Sequence, residues 1–382
     1  MGFSAVNATE ITGLTISGTA DFTGTWNTNV DLDTYVTVPN GATSVVLKID
    51  NTSSSTRRAQ IRYPGATTHY LQDAINRYQT RQNFVVPLAS GNLIDLYLEA
   101  TTVKFYVVGF FDSAVTAFHG DTFPIISIPG SGTRTLTAPT EVPSNATAML
   151  VRGGALSWWR PTGETVYNVS GAGPTWVKLD GSKQFEVNTT SSGTMTVLAY
   201  ATGGFNWQGF PAATNAPTKD DTYRTSGVTY SGKSGVILQP DAVGAITQAY
   251  NFRRTGDSGY TYNPIESSTT QKSTLVALNA SGQFDYIMDS TATAANIDVQ
   301  WSLDEFSSAS LTITSVTPST FDDGKTGIVI AGSGFGASQG SSTLTIGAQT
   351  QTVTAWSDTS ITFTSVRGSV SPGNAALKLT KG

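Results

Sequence analysis

The chain has 382 residues, a formal net charge of −5 and only 13% charged residues. This negative balance gives no general basic field for binding nucleic acid, and the absence of cysteine excludes disulfides, zinc–thiolate sites and thiol nucleophiles. The length allows about two to four domains, and the abundance of Gly, Ser, Thr and Asn is typical of short strands joined by tight turns. We therefore predict an all-β protein with several domains.

The first residues, 1-MGFSAVNATEITGLTISG-18, contain no positive segment followed by an apolar one, so no secretory signal is predicted. The sequence has no stretch of about 18 apolar residues, which a membrane-spanning helix needs. Neither a membrane nor a nucleic acid is therefore an expected partner.

Residues 1–33 are predicted to form an N-terminal arm. Apolar side chains recur there at even positions, as a strand requires: Leu14, Ile16, Ala20, Phe22 and Trp26. The pattern resembles the repeats of phage fibre proteins. Its alternative is an edge strand of the domain that follows.

Three later stretches of sequence follow one plan. Each opens with a turn and a short apolar run, and each ends with a block of strand, glycine-bearing turn, strand, polar turn and strand. The closing blocks begin at Val86, Val177 and Val276. This spacing is the length of one β-sandwich, so we predict tandem sandwich or jelly-roll domains, each with its own core, at 34–115, 116–212 and 213–308.

The last stretch, 309–382, differs from the other three. It is similar to the IPT/TIG family of immunoglobulin-like sandwiches at these residues: Ile313, Val316, Pro318, Gly324, Ile330, Gly332, Gly334, Phe335, Gly336, Trp356, Ile361 and Phe363. Gly332, Gly334 and Gly336 are expected to allow the positive φ of a bulged turn. The resemblance implies a folding unit that binds or spaces other parts.

Residues suited to catalysis are few. The chain has two histidines, His69 and His119, which lie far apart in the sequence, and no motif with the spacing of paired metal ligands. The acidic pair 322-DD-323 lies in a predicted turn, where such residues usually bond the backbone. We therefore expect no catalytic set, no metal and no cofactor.

The most basic segment contains five arginines: Arg57, Arg58, Arg62, Arg77 and Arg81. Arg57 and Arg58 are predicted in a turn. They form either a solvated loop face or a surface that binds carboxylates of a protein partner, because the planar guanidinium group is favoured in interfaces.

Tryptophans form the second unusual feature, with Trp158 and Trp159 adjacent and Trp207 in the same predicted domain. Neighbouring strand residues face opposite sides, so one of the adjacent pair points away from the core if both lie in a strand. Three interpretations stay open for an exposed tryptophan: stacking on a glycan, a subunit or domain contact, and ordinary packing.

In overall plan, several sandwiches followed by an IPT/TIG unit, the chain resembles bacteriophage decoration and fibre proteins. The resemblance implies a non-enzymatic virion protein: a capsid decoration, cement or head-fibre protein, made in the host cytoplasm and placed on the virion surface. It also implies a homotrimer that contacts the major capsid protein or tail and portal proteins. The alternative is a tail fibre or receptor-binding adhesin that recognises host surface glycans.

Overall fold

The computed structural model is almost entirely β. It describes residues 2–17, 24–67, 71–75, 80–119, 123–153, 156–164, 168–169, 174–208, 212–214, 224–242, 249–256, 274–289, 295–304, 312–335, 339, 342–347, 349–357, 359–366 and 376–380. Within these ranges the strands are joined by turns and by one short 3-10 helix, Leu32–Thr34. No helix of this described part is long and apolar enough to cross a membrane. The predicted all-β fold class is confirmed.

The chain divides into two compact units. The first comprises Met1–Thr37, Thr43–Ala89 and Leu93–Phe306, and the second comprises Val38–Ala42, Ser90–Asn92 and Ser307–Gly382.

The first unit begins with an eight-stranded sandwich. Its strands are β1 (Phe3–Glu10), β2 (Asn27–Asp31), β3 (Ser44–Asn51), β4 (Arg57–Arg62), β5 (Leu71–Ile75), β6 (Thr80–Pro87), β7 (Leu93–Leu98) and β8 (Val103–Phe111). They form two antiparallel sheets with the orders β1-β8-β3-β6 and β2-β7-β4-β5. Eight strands divided in this way between two sheets make a jelly roll.

A second jelly roll follows with the same order of strands. Its strands are β9 (Val115–Ala117), β10 (Ile125–Ile128), β11 (Gly132–Thr137), β12 (Ala148–Gly153), β13 (Leu156–Pro161), β14 (Asn168–Val169), β15 (Thr175–Lys178), β16 (Gln184–Thr189) and β17 (Gly193–Ala201). One sheet has the order β10-β17-β12-β15, with β9 also paired to β17, and the other has the order β11-β16-β13-β14.

A third copy completes the first unit. Its described strands are β18 (Phe205–Trp207), β19 (Ala212–Thr214), β20 (Arg224–Thr225), β21 (Lys233–Ala242), β22 (Ala249–Arg254), β23 (Thr274–Ala277), β24 (Phe284–Asp289) and β25 (Ala295–Asp304). The sheets are β18-β25-β21-β23, with β19 also on β25, and β20-β24-β22. We call the sheets containing β8, β17 and β25 the inner sheets and those containing β7, β16 and β24 the outer sheets.

Two predicted boundaries differ from the strands observed. Residues 1–33, expected as a separate arm, supply β1 and β2, which lie at the edges of the two sheets of the first jelly roll. The third jelly roll begins with β18 at Phe205, before the expected boundary at residue 213. These strands pair with partners about 60 to 110 residues away, which a local sequence pattern does not reveal.

The repeated closing blocks align without a gap around one tight turn. The turn residues Asn92, Lys183 and Gly282 all have positive φ, at 57°, 59° and 72°. In the second and third jelly rolls the side chains of Asp180 and Asn279 each accept bonds from the backbone N–H groups two and four residues later. The three jelly rolls therefore share the backbone conformation of this turn, and the second and third also share its side-chain hydrogen bonds.

Among its described residues, the second unit has seven C-terminal strands: β26 (Thr312–Thr317), β27 (Ile328–Ser333), β28 (Thr343–Ile346), β29 (Gln349–Thr350), β30 (Thr352–Trp356), β31 (Ser360–Thr364) and β32 (Leu377–Thr380). Two sheets, β26-β27-β31-β30 and β29-β28-β32, enclose a core that includes Phe335 and Phe363. This is the predicted immunoglobulin-like sandwich.

The glycines of this sandwich serve different purposes from those predicted. Gly334 has the expected positive φ of 76°, but Gly332 does not, and a Cβ there would collide with the Thr312 carbonyl oxygen and the Phe335 ring. Close packing, and not turn conformation, therefore requires glycine at position 332. Gly336 lies outside the described residues.

Candidate functional site

The inner sheets of the three jelly rolls pack against one another through a shared apolar core. One continuous cluster of buried side chains includes Phe3 and Phe111 of the first jelly roll, Trp176 of the second, and Trp301 of the third. A β-sheet normally buries one face and leaves the other to solvent. Here both faces of the inner sheets contribute buried residues, so the predicted picture of three separate cores is incomplete.

The first strand of the first jelly roll packs on the inner sheet of the third. The fully buried ring of Phe3 in β1 lies against Gly235 of β21, where a Cβ would sit 2.9 Å from the ring atom Cδ1. The same ring covers Gly109 of β8, where a Cβ would overlap it. Only glycine leaves room for this approach on both sides.

The first strand of the second jelly roll packs on the inner sheet of the first in the same manner. Val115 and Ala117 of β9 belong to one buried cluster with Val46 and Val85, which lie on β3 and β6. The hydroxyl of Thr43, next to β3, lies 2.9 Å from the Asp112 carbonyl oxygen and 3.2 Å from the Val115 carbonyl oxygen, so it holds the segment between β8 and β9 beside β3. The apolar contact is therefore fixed in register by a polar one.

The first strand of the third jelly roll packs on the inner sheet of the second. The rings of Phe205 in β18 and Trp176 in β15 have centroids 4.5 Å apart, and Phe205 lies 5.6 Å from Phe111 of the first jelly roll. Aromatic pairs at such distances add about 0.5–1.5 kcal/mol beyond their buried area. These rings join all three jelly rolls.

The three contacts are of one kind, and together they close. In two of the contacts, the first strand of a jelly roll packs on the inner sheet of the jelly roll that precedes it in the chain. In the third contact, the first strand of the first jelly roll packs on the inner sheet of the last one. A repeated contact between different faces gives a closed ring when the rotation between copies permits it. We refer to this arrangement as the ring junction.

Sequence reasoning missed the residues of the ring junction, although the sequence contains a signal for one of them. The run 233-KSGVILQP-240 places Gly235 inside an otherwise apolar strand. A glycine in that setting indicates close approach of another chain segment. The partner, Phe3, lies too far away in sequence to be identified by that signal.

The predicted basic cluster is part of the first jelly roll and is paired within it. Arg57 and Arg58 lie in β4 and not in a turn. The Arg57 guanidinium donates to Glu99 at 3.0 Å, and the other oxygen of the same carboxylate accepts the backbone N–H of Arg58. The predicted turn was therefore wrong for Arg57 and Arg58, which lie in a strand.

Arg62 is held by both an ion pair and an aromatic ring. Its Nε donates to Asp95 at 3.0 Å, and its guanidinium carbon lies 3.9 Å from the centre of the Trp26 ring. The Asp95 side chain is 2% exposed and also accepts the backbone N–H of Asn29. Of the remaining predicted residues, Arg81 lies in β6 and Arg77 lies outside the described residues.

The pairing of Arg62 recurs in every outer sheet. Arg62 is directly opposite Asp95, Arg160 is opposite Glu186, and Arg253 is opposite Asp285. In all three cases the arginine Nε donates to the carboxylate across the same two strands of the jelly roll. The pairs are thus a repeated element of the scaffold.

The three tryptophans have different environments. Trp159 is fully buried in the core of the second jelly roll and is not available to a glycan or to another subunit. Trp158 is half-buried and has the Arg160 guanidinium 5.0 Å above its ring. The two side chains therefore lie on opposite faces of β13, as strand geometry requires.

Trp207 lies where the second and third jelly rolls meet. Its ring is 5.7 Å from Trp159 and 5.0 Å from Trp301, and its Nε1 donates to Glu164 at 3.3 Å. The Lys178 ammonium, which pairs with the same Glu164, lies 5.5 Å from the ring centre. Trp207 is therefore part of a contact between jelly rolls, one of the alternatives left open above.

Two further titratable residues, His119 and Lys48, contact neighbouring side chains of the fold. His119 stacks on Tyr63 with ring centroids 4.9 Å apart, whereas His69 lies outside the described residues. The described ranges contain no cluster of three or more His, Cys, Asp or Glu side chains that could hold a metal ion. Lys48, 2% exposed, pairs with Asp50 at 2.9 Å, and burial lowers the pKa of its ammonium group.

Comparison with solved structures finds weak likenesses to viral jelly-roll proteins. One is described as the triple jelly roll fold and turret assembly in an archaeal virus, with 11% identity, 73% of this chain and 82% of that chain covered, and a TM-score of 0.18. Another belongs to the entire lipid-containing bacteriophage PM2, with 11% identity, 69% and 98% coverage, and a TM-score of 0.15.

Comparison by sequence identifies one part of the chain. No curated protein shows significant sequence similarity to the chain. The predicted C-terminal immunoglobulin-like unit is confirmed: residues 311–382 match the IPT/TIG domain family.

Proposed function

We propose that the protein is a non-enzymatic structural component of a virion surface, a capsid decoration or head-fibre protein that binds capsid subunits. The observation that carries the proposal is the ring junction, in which three jelly rolls are fixed to one another through buried aromatic and aliphatic side chains. Jelly rolls are a common architecture of viral capsid proteins. A rigid body of this kind, followed by an IPT/TIG unit, suits a role in attachment and display.

The chemistry of the outer sheets also supports a scaffold. The acidic side chains Asp95, Glu186 and Asp285 face arginines across the strands. Their side chains are 2%, 17% and 8% exposed. Because these acidic side chains are paired with arginines and largely buried, they stabilise the outer sheets and are poorly placed to contact a substrate.

The alternative role in glycan recognition has less support. It was based on Trp158, Trp159 and Trp207 forming an open aromatic surface. Trp159 is buried, and Trp207 packs between jelly rolls. Glycan binding is therefore not the function that we propose.

The proposal is tested by counting copies of the chain in purified particles, with quantitative mass spectrometry against the major capsid protein. Hundreds of copies per particle are expected for a decoration protein. A handful of copies per particle would instead indicate a tail or fibre protein, and absence from particles would contradict the proposal.

Within the predicted cluster we propose Arg57 as a contact for a carboxylate of the capsid, because 36% of its side chain is exposed. Arg57→Gln should lower the occupancy of particles severalfold, since the fork of charged donors is lost. Lys378→Gln, which removes an exposed cation on β32 of the IPT/TIG unit and lies on none of the outer sheets, is the control. Equal occupancy of the two variants would show that Arg57 has no part in attachment.

A further inference from the structure

The ring junction determines how many copies of the chain one attachment site requires. The resemblance to phage decoration and fibre proteins implies a homotrimer, in which three chains each supply one equivalent part. The structure shows that one chain already supplies three equivalent parts, since its jelly rolls have the same strand order and the same cross-strand arginine pair.

The contact that would build a homotrimer of jelly rolls is already occupied within the chain. Each first strand is seated on a neighbouring inner sheet: Phe3 on Gly235, Val115 and Ala117 beside Val46, and Phe205 on Trp176. A heterologous contact adds further copies only while one of its two faces remains open. In a closed set of three contacts, no such face is left for a second chain.

The buried side chains show that this closure is extensive. Phe3 and Phe111 are fully buried, and Trp176 and Trp301 are 1% exposed. Full burial of one large apolar side chain contributes about 1.5–3 kcal/mol. Opening the ring junction to admit another chain would expose several of these side chains together, so exchange between chains is strongly disfavoured.

We infer that the chain acts as a single copy that takes the place of a trimer: it binds a protein surface on which three identical subunits meet. This inference rests on the proposed function for the identity of that surface. Its three outer sheets, built on one plan, offer three similar contacts to three identical subunits. Three weak contacts made by one rigid body combine through their high effective concentration.

The first test uses the full chain in solution, without any particle. Light scattering after size-exclusion chromatography should give the mass of one chain, 40.1 kDa, at every concentration tested. A mass three times larger that persists on dilution would overturn the inference. This measurement does not depend on the proposed function.

The second test uses decorated particles. Quantitative mass spectrometry should give one chain for every three capsid subunits at occupied positions, and a reconstruction should show one IPT/TIG unit at each. Three chains at each position would overturn the inference while leaving the decoration role intact. If the chain is absent from particles, the proposed function fails, and a trimeric mass in solution would still decide against a single copy.

Discussion

Single residues show that charge in this protein is used for structure. Asp285 illustrates the point, because its carboxylate is 8% exposed and accepts bonds from Arg253, Thr225 and Thr255. Removing that charge takes an ionic partner from Arg253 and weakens two hydroxyl bonds.

Asp285→Asn is therefore expected to lower the free energy of unfolding by about 1.5–3 kcal/mol. Glu141→Gln is the control, because Glu141 is exposed and bonds only its neighbour Thr140 among the contacts seen; a surface change of this kind stays within about 0.5 kcal/mol. Chemical denaturation of both variants measures the difference. Equal stabilities would show that the repeated pair contributes nothing.

Lys48 gives a prediction about pH. Burial lowers the pKa of its ammonium group, while Asp50 acts in the opposite direction. The pKa in the folded chain is thus below the value in the unfolded chain, so between these two values the unfolded chain holds the extra proton. Across that interval the free energy of unfolding rises with pH, and below it both states are protonated and the charge penalty is constant.

The variant Lys48→Met has no group to titrate there. We expect the stability of the parent minus that of the variant to increase as pH rises toward 10, by at most about 1.4 kcal/mol per pH unit. Urea titrations of both proteins between neutral pH and pH 10 provide the comparison. A difference that stays flat or falls would contradict the environment assigned to Lys48.

At the scale of single elements, the first strand of each jelly roll links its own sheet to the inner sheet of a neighbouring jelly roll. Gly235 lets β1 pack on β21, because the Phe3 ring lies directly over it. A Cβ at position 235 would lie only 2.9 Å from the Cδ1 atom of that ring. Overpacking of this kind costs about 1–3 kcal/mol. The two shortest contacts of that Cβ are to the Phe3 ring, and the next is to the Val276 carbonyl oxygen at 3.3 Å, so shortening the ring should remove part of the cost.

Gly235→Ala should destabilise the chain by that amount, and adding Phe3→Leu should recover part of the loss, which a double-mutant cycle measures as coupling. Gly193→Ala is the control, since nothing lies within 4 Å of a Cβ there and its φ is not positive. Strict additivity of the two changes would show that β1 and β21 do not meet through Phe3.

The sequence was sufficient to identify elements whose signals are local. The repeated blocks at Val86, Val177 and Val276 were recognised because strand, turn and strand are adjacent in sequence, and the IPT/TIG unit was recognised from glycines and core residues within one short segment. The seating of Phe3 on Gly235 joins positions more than two hundred residues apart. No periodicity within a strand encodes such a partner, so the ring junction could not be predicted.

The arginine cluster shows the same limit for the candidate site. Arg57 and Arg62 were recognised as unusual, but their counter-ions Glu99 and Asp95 lie on β7 or just after it, separated from them by more than thirty residues. When the ionic partner of a charged side chain is distant in sequence, nothing in the local sequence indicates that the charge is paired. The cross-strand pairing, and with it the structural role, became clear only from the register of β4 and β7.

For the whole molecule, the ring junction makes the three jelly rolls depend on one another. A fragment ending at residue 204 lacks β21 and β25, which contribute Gly235 and Trp301 to the shared core. It should therefore bind an apolar fluorescent dye far more strongly than the fragment 1–306. Equal dye binding by the two fragments would show that the first two jelly rolls bury their inner sheets without the third.

The closure of the ring junction also has a consequence for synthesis on the ribosome. Phe3 emerges among the first residues, whereas Gly235, which it covers, follows more than two hundred residues later. At about 5–20 residues per second, the nascent chain waits roughly 10–50 seconds for this contact. During that time the inner face of the first jelly roll is open to water and to other nascent chains. In this interval contacts between neighbouring nascent chains are expected to compete with closure of the ring junction within one chain.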